Sequence, residues 1–115
     1  MEPMLDLEKV SRIDGVKGDY LVKHDGSLVA HKGDNAPEVS PCIALSGLNG
    51  DAICSLLGCS HFNYLVFSRQ SKESIIVFPM NNLFLAVIKE AHAITANLIQ
   101  KISELTDATK TKSAV

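Results

Sequence analysis

The run Leu83-Phe84-Leu85-Ala86-Val87-Ile88 is apolar at every position. Strands point successive side chains to opposite faces, so a strand with one wet face carries a polar residue at every second place. This run carries none, and a strand of that kind needs cover on both faces. In a chain of 115 residues, enough for one domain, the cover has to be helices above and below one sheet. Two more strand-like runs precede it: His61 to Arg69, and Glu73 to Phe78, closed by Pro79. Gln70-Ser71-Lys72 and Asn81-Asn82 join the three. Connections this short predict an antiparallel meander.

The first half of the chain supplies a second strand pair. Asp25-Gly26 stands between two β-rich runs, Gly18 to His24 and Ser27 to His31. Asp-Gly in that position signals a hairpin, because a two-residue turn needs φ > 0 at both places. Upstream, Leu5 or Leu7, Val10 and Ile13 share one face of a short helix that Asp14-Gly15 stops. A final helix is expected from about Glu90 to Thr106. Ala91, Ile94, Leu98, Ile102 and Leu105 form its apolar side, while His92, Asn97, Lys101 and Glu104 face water. The domain then spans residues 5–106. Asp107 to Val115 is polar, small and without periodicity, and reads as a disordered tail.

Between hairpin and meander lies a long helical stretch, about Glu38 to Leu57. Either Ser40-Pro41 opens it as N-cap and first residue, or Pro37 does so one turn earlier. Gly58 fits the position just past its end. Gly47 and Gly50 lie inside it, at a cost of roughly 1 kcal/mol each relative to alanine. Ser46, Gly50 and Cys54 make a stripe of small side chains at i, i+4 and i+8, over which another backbone can approach closely. Ile43, Leu45, Leu48, Ile53, Leu56 and Leu57 cover much of the remaining circumference. A helix apolar on more than one face is buried on more than one face. In a chain this short, the second face is expected to meet another subunit.

Hydrophobic residues make up 46% of the chain and charged residues 21%, which suits a compact domain and not a disordered one. The net charge is −2, so there is no basic excess to neutralise phosphates, and nucleic acid is not an expected partner. No run approaches 18 apolar residues, so no membrane partner is expected either. Met1 to Asp6 lacks a basic start and a long apolar core, so it does not read as a signal peptide. Cys42, Cys54 and Cys59 are an odd set without CxxC spacing. They read as free thiols in a reducing, cytoplasmic setting.

Chemistry-bearing patterns are scarce. Neither GxxxxGK[ST] nor GxGxxG occurs. Leu45-Ser46-Gly47 is a fragment of a nucleophile elbow, but Ala44 and Leu48 stand where glycines are required. Ser46 therefore reads as a small residue for close packing. Cys54, Cys59 and His61 form the only cluster with metal-ligand chemistry. Their spacing matches no zinc pattern, so the two cysteines read as apolar fillers. His24 and His31 flank the hairpin turn and read as solvated. No carboxylate pair sits in an apolar setting. No catalytic residue, cofactor or metal is expected, and the default is a non-enzymatic interaction module.

The inferred order is helix, two-strand hairpin, long helix, three-strand meander, helix. With Gly18-Asp19-Tyr20-Leu21-Val22 and Asp25-Gly26-Ser27-Leu28-Val29-Ala30, it resembles the Roadblock family of dynein light chains and bacterial GTPase regulators. Ala44-Leu45-Ser46-Gly47-Leu48, Ile75-Ile76-Val77-Phe78-Pro79 and Phe84-Leu85-Ala86-Val87-Ile88 extend the likeness from about Leu5 to Ile102. The resemblance implies an α+β fold of order α-β-β-α-β-β-β-α. Its five-stranded antiparallel sheet is covered by helices on both faces, as in profilin and longin folds. It also implies a homodimer in which the long helices pair through Ser46, Gly47, Gly50 and Cys54. The third strands pair through Phe62, Tyr64 and Val66. The implied partner is a Ras-like small GTPase, with no arginine finger to nominate. A motor or signalling adaptor indifferent to nucleotide state, or a small-molecule sensor, are the alternatives.

Overall fold

A computed structural model describes residues 7–34, 36–60, 62–68, 73–80 and 82–114, with side chains to residue 106. The elements are α1 (Leu7–Ser11), β1 (Val16–Lys23), β2 (Leu28–His31), α2 (Ala36–Leu57), β3 (Leu65–Ser68), β4 (Ser74–Met80), β5 (Leu83–Lys89) and α3 (Thr95–Ala114). One antiparallel sheet has the order β2-β1-β5-β4-β3. The expected α+β order is therefore present, with β5 in the middle. Its alternate residues enter two cores. Leu85 and Val87 meet α1 and α3 through Leu7, Val10, Leu98 and Ile102. Phe84 and Ala86 meet α2 through Ile43, Ala44 and Cys54. That double burial is why the run has no polar face.

The hairpin turn holds three residues where two were expected. Lys23 N donates to Ser27 O at 2.8 Å and Gly26 N donates to Lys23 O at 3.0 Å, leaving His24-Asp25-Gly26 as the loop. This is a turn followed by a bulge, in which glycine takes the left-handed position. Gly26 does so at φ +92°. Asp25 Oδ1 accepts the Ser27 amide at 2.9 Å and fixes the corner.

β4 runs through Pro79 to Met80, past its expected end at Phe78. The last β3 pair is Leu65 with Val77, so the missing N–H of Pro79 deprives β3 of no bond. The last helix starts at Thr95 and not at Glu90. Glu90 N donates to Gly15 O at 2.8 Å, and Lys89 Nζ donates to the carbonyls of Glu90 and Ala93. The Glu90 amide is thus tied to the α1–β1 turn and the two carbonyls to the Lys89 ammonium, which holds this segment out of the helix. Ala91 and Ile94 consequently lie outside α3 and are exposed, whereas Leu98 and Ile102 are buried as expected. The segment from Asp107, expected as a loose tail, continues α3 to Ala114, with no Pro or Gly to stop it. Leu5 lies outside the described residues.

Candidate functional site

α2 opens at Ala36, so Pro37 falls in the first turn, where a missing N–H costs nothing. Its inner stripe is Ala36, Ser40, Ile43, Ala44, Gly47, Gly50 and Cys54, all buried against the sheet. The two glycines answer to this chain's own rings. A Cβ on Gly47 would lie 2.4 Å from Phe84 Cζ, and one on Gly50 would lie 3.0 Å from Phe62 and 3.1 Å from Leu65. Phe84 in turn stacks on His24, with ring centroids 4.3 Å apart, and Phe62 stands 6.4 Å away.

The residues expected to form the pairing surface differ in exposure within the single chain. Gly47, Gly50, Cys54 and Phe62 are buried within the single chain. Ser46 is half-buried and donates to Cys42 O at 2.8 Å, while Tyr64 and Val66 are exposed. The small stripe faces inward because only small residues let α2 settle onto Phe84 and Phe62.

The outward face of α2 is the unusual one. Leu45, Leu48, Ile53, Leu56 and Leu57 are exposed, Leu56 to 87% and Leu57 to 75%. β3 forms one edge of the sheet, with Val66 and Phe67 exposed, and Tyr64, just before it, is exposed as well. Leu65, which reaches Gly50, links the helix to this edge. Single exposed leucines are ordinary, but five large apolar residues exposed on one helix are not. An apolar edge strand with an open row of N–H and C=O groups is likewise a template for pairing. The sequence shows a second apolar face on α2, and the family resemblance implies pairing through its small residues. Phe67 was not singled out, although its place on the edge run was visible.

Polar chemistry does not converge. Among the described residues no three His, Cys, Asp or Glu side chains could hold a metal ion, and no helix is long and apolar enough to cross a membrane. A cleft of about 330 Å³ lies beside Lys17, Tyr20, Lys32, Glu73 and Ile88. Its lysines already have carboxylates: Lys17 pairs with Glu73 at 2.6 Å, and Lys32 with Glu8. Tyr20 Oη donates to Asp34 O at 2.6 Å. Asp19, on the α1 and α3 side of β1, is fully buried with no partner for either carboxylate oxygen among the described residues. Burial pushes its carboxyl above the usual range, opposed by nearby Lys32 and His31.

No protein-family model and no curated protein matches the sequence. Solved structures do. Myxococcus xanthus MglB aligns at a TM-score of 0.79 and 17% identity, covering 92% of this chain and 90% of that one. The Roadblock/LC7 domain from Streptomyces avermitilis aligns at 0.79 and 18% identity over 96% of each chain. The chain has a Roadblock-type fold. Schizosaccharomyces pombe profilin aligns at 0.60 and 13% identity over 84% of this chain and 86% of that one, so the sheet is also profilin-like. In this Roadblock-type frame, the exposed leucines lie on the second helix and the open edge on the third strand.

Proposed function

We propose that the chain is a homodimeric, non-catalytic regulator or scaffold that binds a Ras-like small GTPase in the cytoplasm. The observation that carries the dimer is the apolar outer face of α2, continued by the open edge of β3. A second copy fits both parts at once. A two-fold axis sets helix against helix and edge against edge, and a self-complementary patch closes after two copies. Leu45, Leu48, Ile53 and Leu56 meet their equivalents across the axis, with Tyr64, Val66 and Phe67 along the paired strands. Ser46 lies at the rim of the helix pair.

The GTPase rests on the Roadblock-type fold. Such a protein acts by positioning the GTPase's own residues, since hydrolysis depends chiefly on placement and on charge at the transferring phosphate. Pull-down of small GTPases on the immobilised chain, loaded with GDP or with a GTP analogue, tests this reading. Preferential capture of one nucleotide form supports it. Equal capture of both forms moves the chain to an adaptor role, and no capture overturns it.

A further inference from the structure

α2 ends in a Schellman motif. Cys59 N donates to Cys54 O at 2.8 Å, Gly58 N donates to Ser55 O at 3.3 Å, and Gly58 takes φ +79°. This is the paired 6→1 and 5→2 bonding of that cap, and it brings the side chains at the two ends of the longer bond together. In this motif those positions frequently hold two apolar residues. Here both are cysteine. Cys54 is buried and Cys59 is exposed, and a Cβ on Gly58 would meet nothing within 4 Å. One thiol is therefore open to a small reagent while the other stands behind it. Cys42 is twelve positions before Cys54 on the same helix, about 18 Å along its axis, and cannot reach either.

We propose that Cys54 and Cys59 are a dithiol modification site that closes to an intrachain disulfide by exchange with a low-molecular-weight disulfide of the glutathione type. The Cys59 thiolate attacks one sulfur of the reagent. The Cys59–reagent bond forms, the reagent's own S–S bond breaks, and the departing thiolate takes up the proton Cys59 gave to solvent. The Cys54 thiolate then attacks Cys59 Sγ, forming the 54–59 bond and expelling the second reagent thiolate, which takes the proton lost by Cys54. Two protein thiols are oxidised and one disulfide is reduced to two thiols, so atoms and electrons balance. The first step falls to Cys59 because it is exposed. Burial, and the neighbouring Cys59, raise the Cys54 thiol above its ordinary range, which suits Cys54 to the second, resolving step and not to the first. The product ring locks the cap from which the chain leaves for β3.

The full-length chain, reduced and freed of reductant, is incubated with oxidised glutathione, quenched with acid, alkylated with iodoacetamide and mapped by mass spectrometry. The expected product is lighter by two hydrogens, carries a 54–59 cross-linked peptide and leaves Cys42 alkylated. Cys54→Ala and Cys54→Ser each accumulate a glutathione adduct on Cys59, and Cys59→Ser forms no cross-link; circular dichroism checks that each variant folds. A wild-type chain that keeps glutathione on Cys59 without closing overturns the proposal. So does one in which Cys54 and Cys59 both remain alkylatable, or one that oxidises only between copies through Cys42.

Discussion

Asp19 is the residue whose chemistry runs most against its surroundings. Its carboxyl is buried beside Val87 and Leu21 on the α1 and α3 side, near Lys32, His31 and Glu8, with neither oxygen in a hydrogen bond of good geometry among the described residues. Burial raises its pKa above the unfolded chain's 3.8. Between the two values the folded chain binds the extra proton, so this group's contribution to stability is greatest below 3.8. It is lost as pH rises through the folded value, opposite to the trend for a salt-bridged aspartate. Asp19→Val is expected to stabilise the fold by about 1–3 kcal/mol at pH 8 by removing an unpaired buried group, and to flatten that slope. Urea unfolding at pH 4, 6 and 8 checks it; equal midpoint shifts at all three would contradict it. The two glycines make a second contrast. At Gly47 an added methyl meets the Phe84 ring at 2.4 Å, where His24 and Phe62 hemmed the ring in. Overpacking of this kind costs about 1–3 kcal/mol and exceeds the helix-propensity gain of about 1 kcal/mol. At Gly50 the contacts of 3.0–3.1 Å can yield. Thermal melts should therefore rank Gly47→Ala below wild type and Gly50→Ala close to it; the reverse order would mean the rings do not set the helix height.

Strands were legible in the sequence because period-2 patterning and turn residues are local signals. The unbroken run Leu83 to Ile88 called for helices on both sides, and β5 lies at the centre of the sheet between two cores. Helix boundaries were less legible because tertiary bonds decide them. Nothing in Glu90-Ala91-His92-Ala93 announces that Gly15 O and the Lys89 ammonium hold that segment out of α3. The direction of α2 was the hardest feature. Periodicity finds two apolar faces on one helix but cannot say which meets its own sheet. Close approach to Phe84 selected the glycines for the inside and left the leucines outside. The outer face has its own test. Burying a leucine contributes about 1.5–3 kcal/mol, so Leu56→Glu, which loses it in both copies, should weaken self-association roughly a hundredfold or more. Because Leu56 is 87% exposed in one chain, the far-ultraviolet spectrum should not change. A folded variant that associates as tightly as wild type would move the interface elsewhere.

At the scale of the whole molecule, a 12.4 kDa chain exposes both a leucine-rich helix face and the β3 edge of its sheet. In the proposed dimer a second copy would cover both. Sedimentation equilibrium of the wild-type chain at micromolar concentration tests this most directly. A mass of twice 12.4 kDa, falling to a single chain for Leu56→Glu, is the expected result; a wild-type chain that sediments alone at that concentration would contradict it.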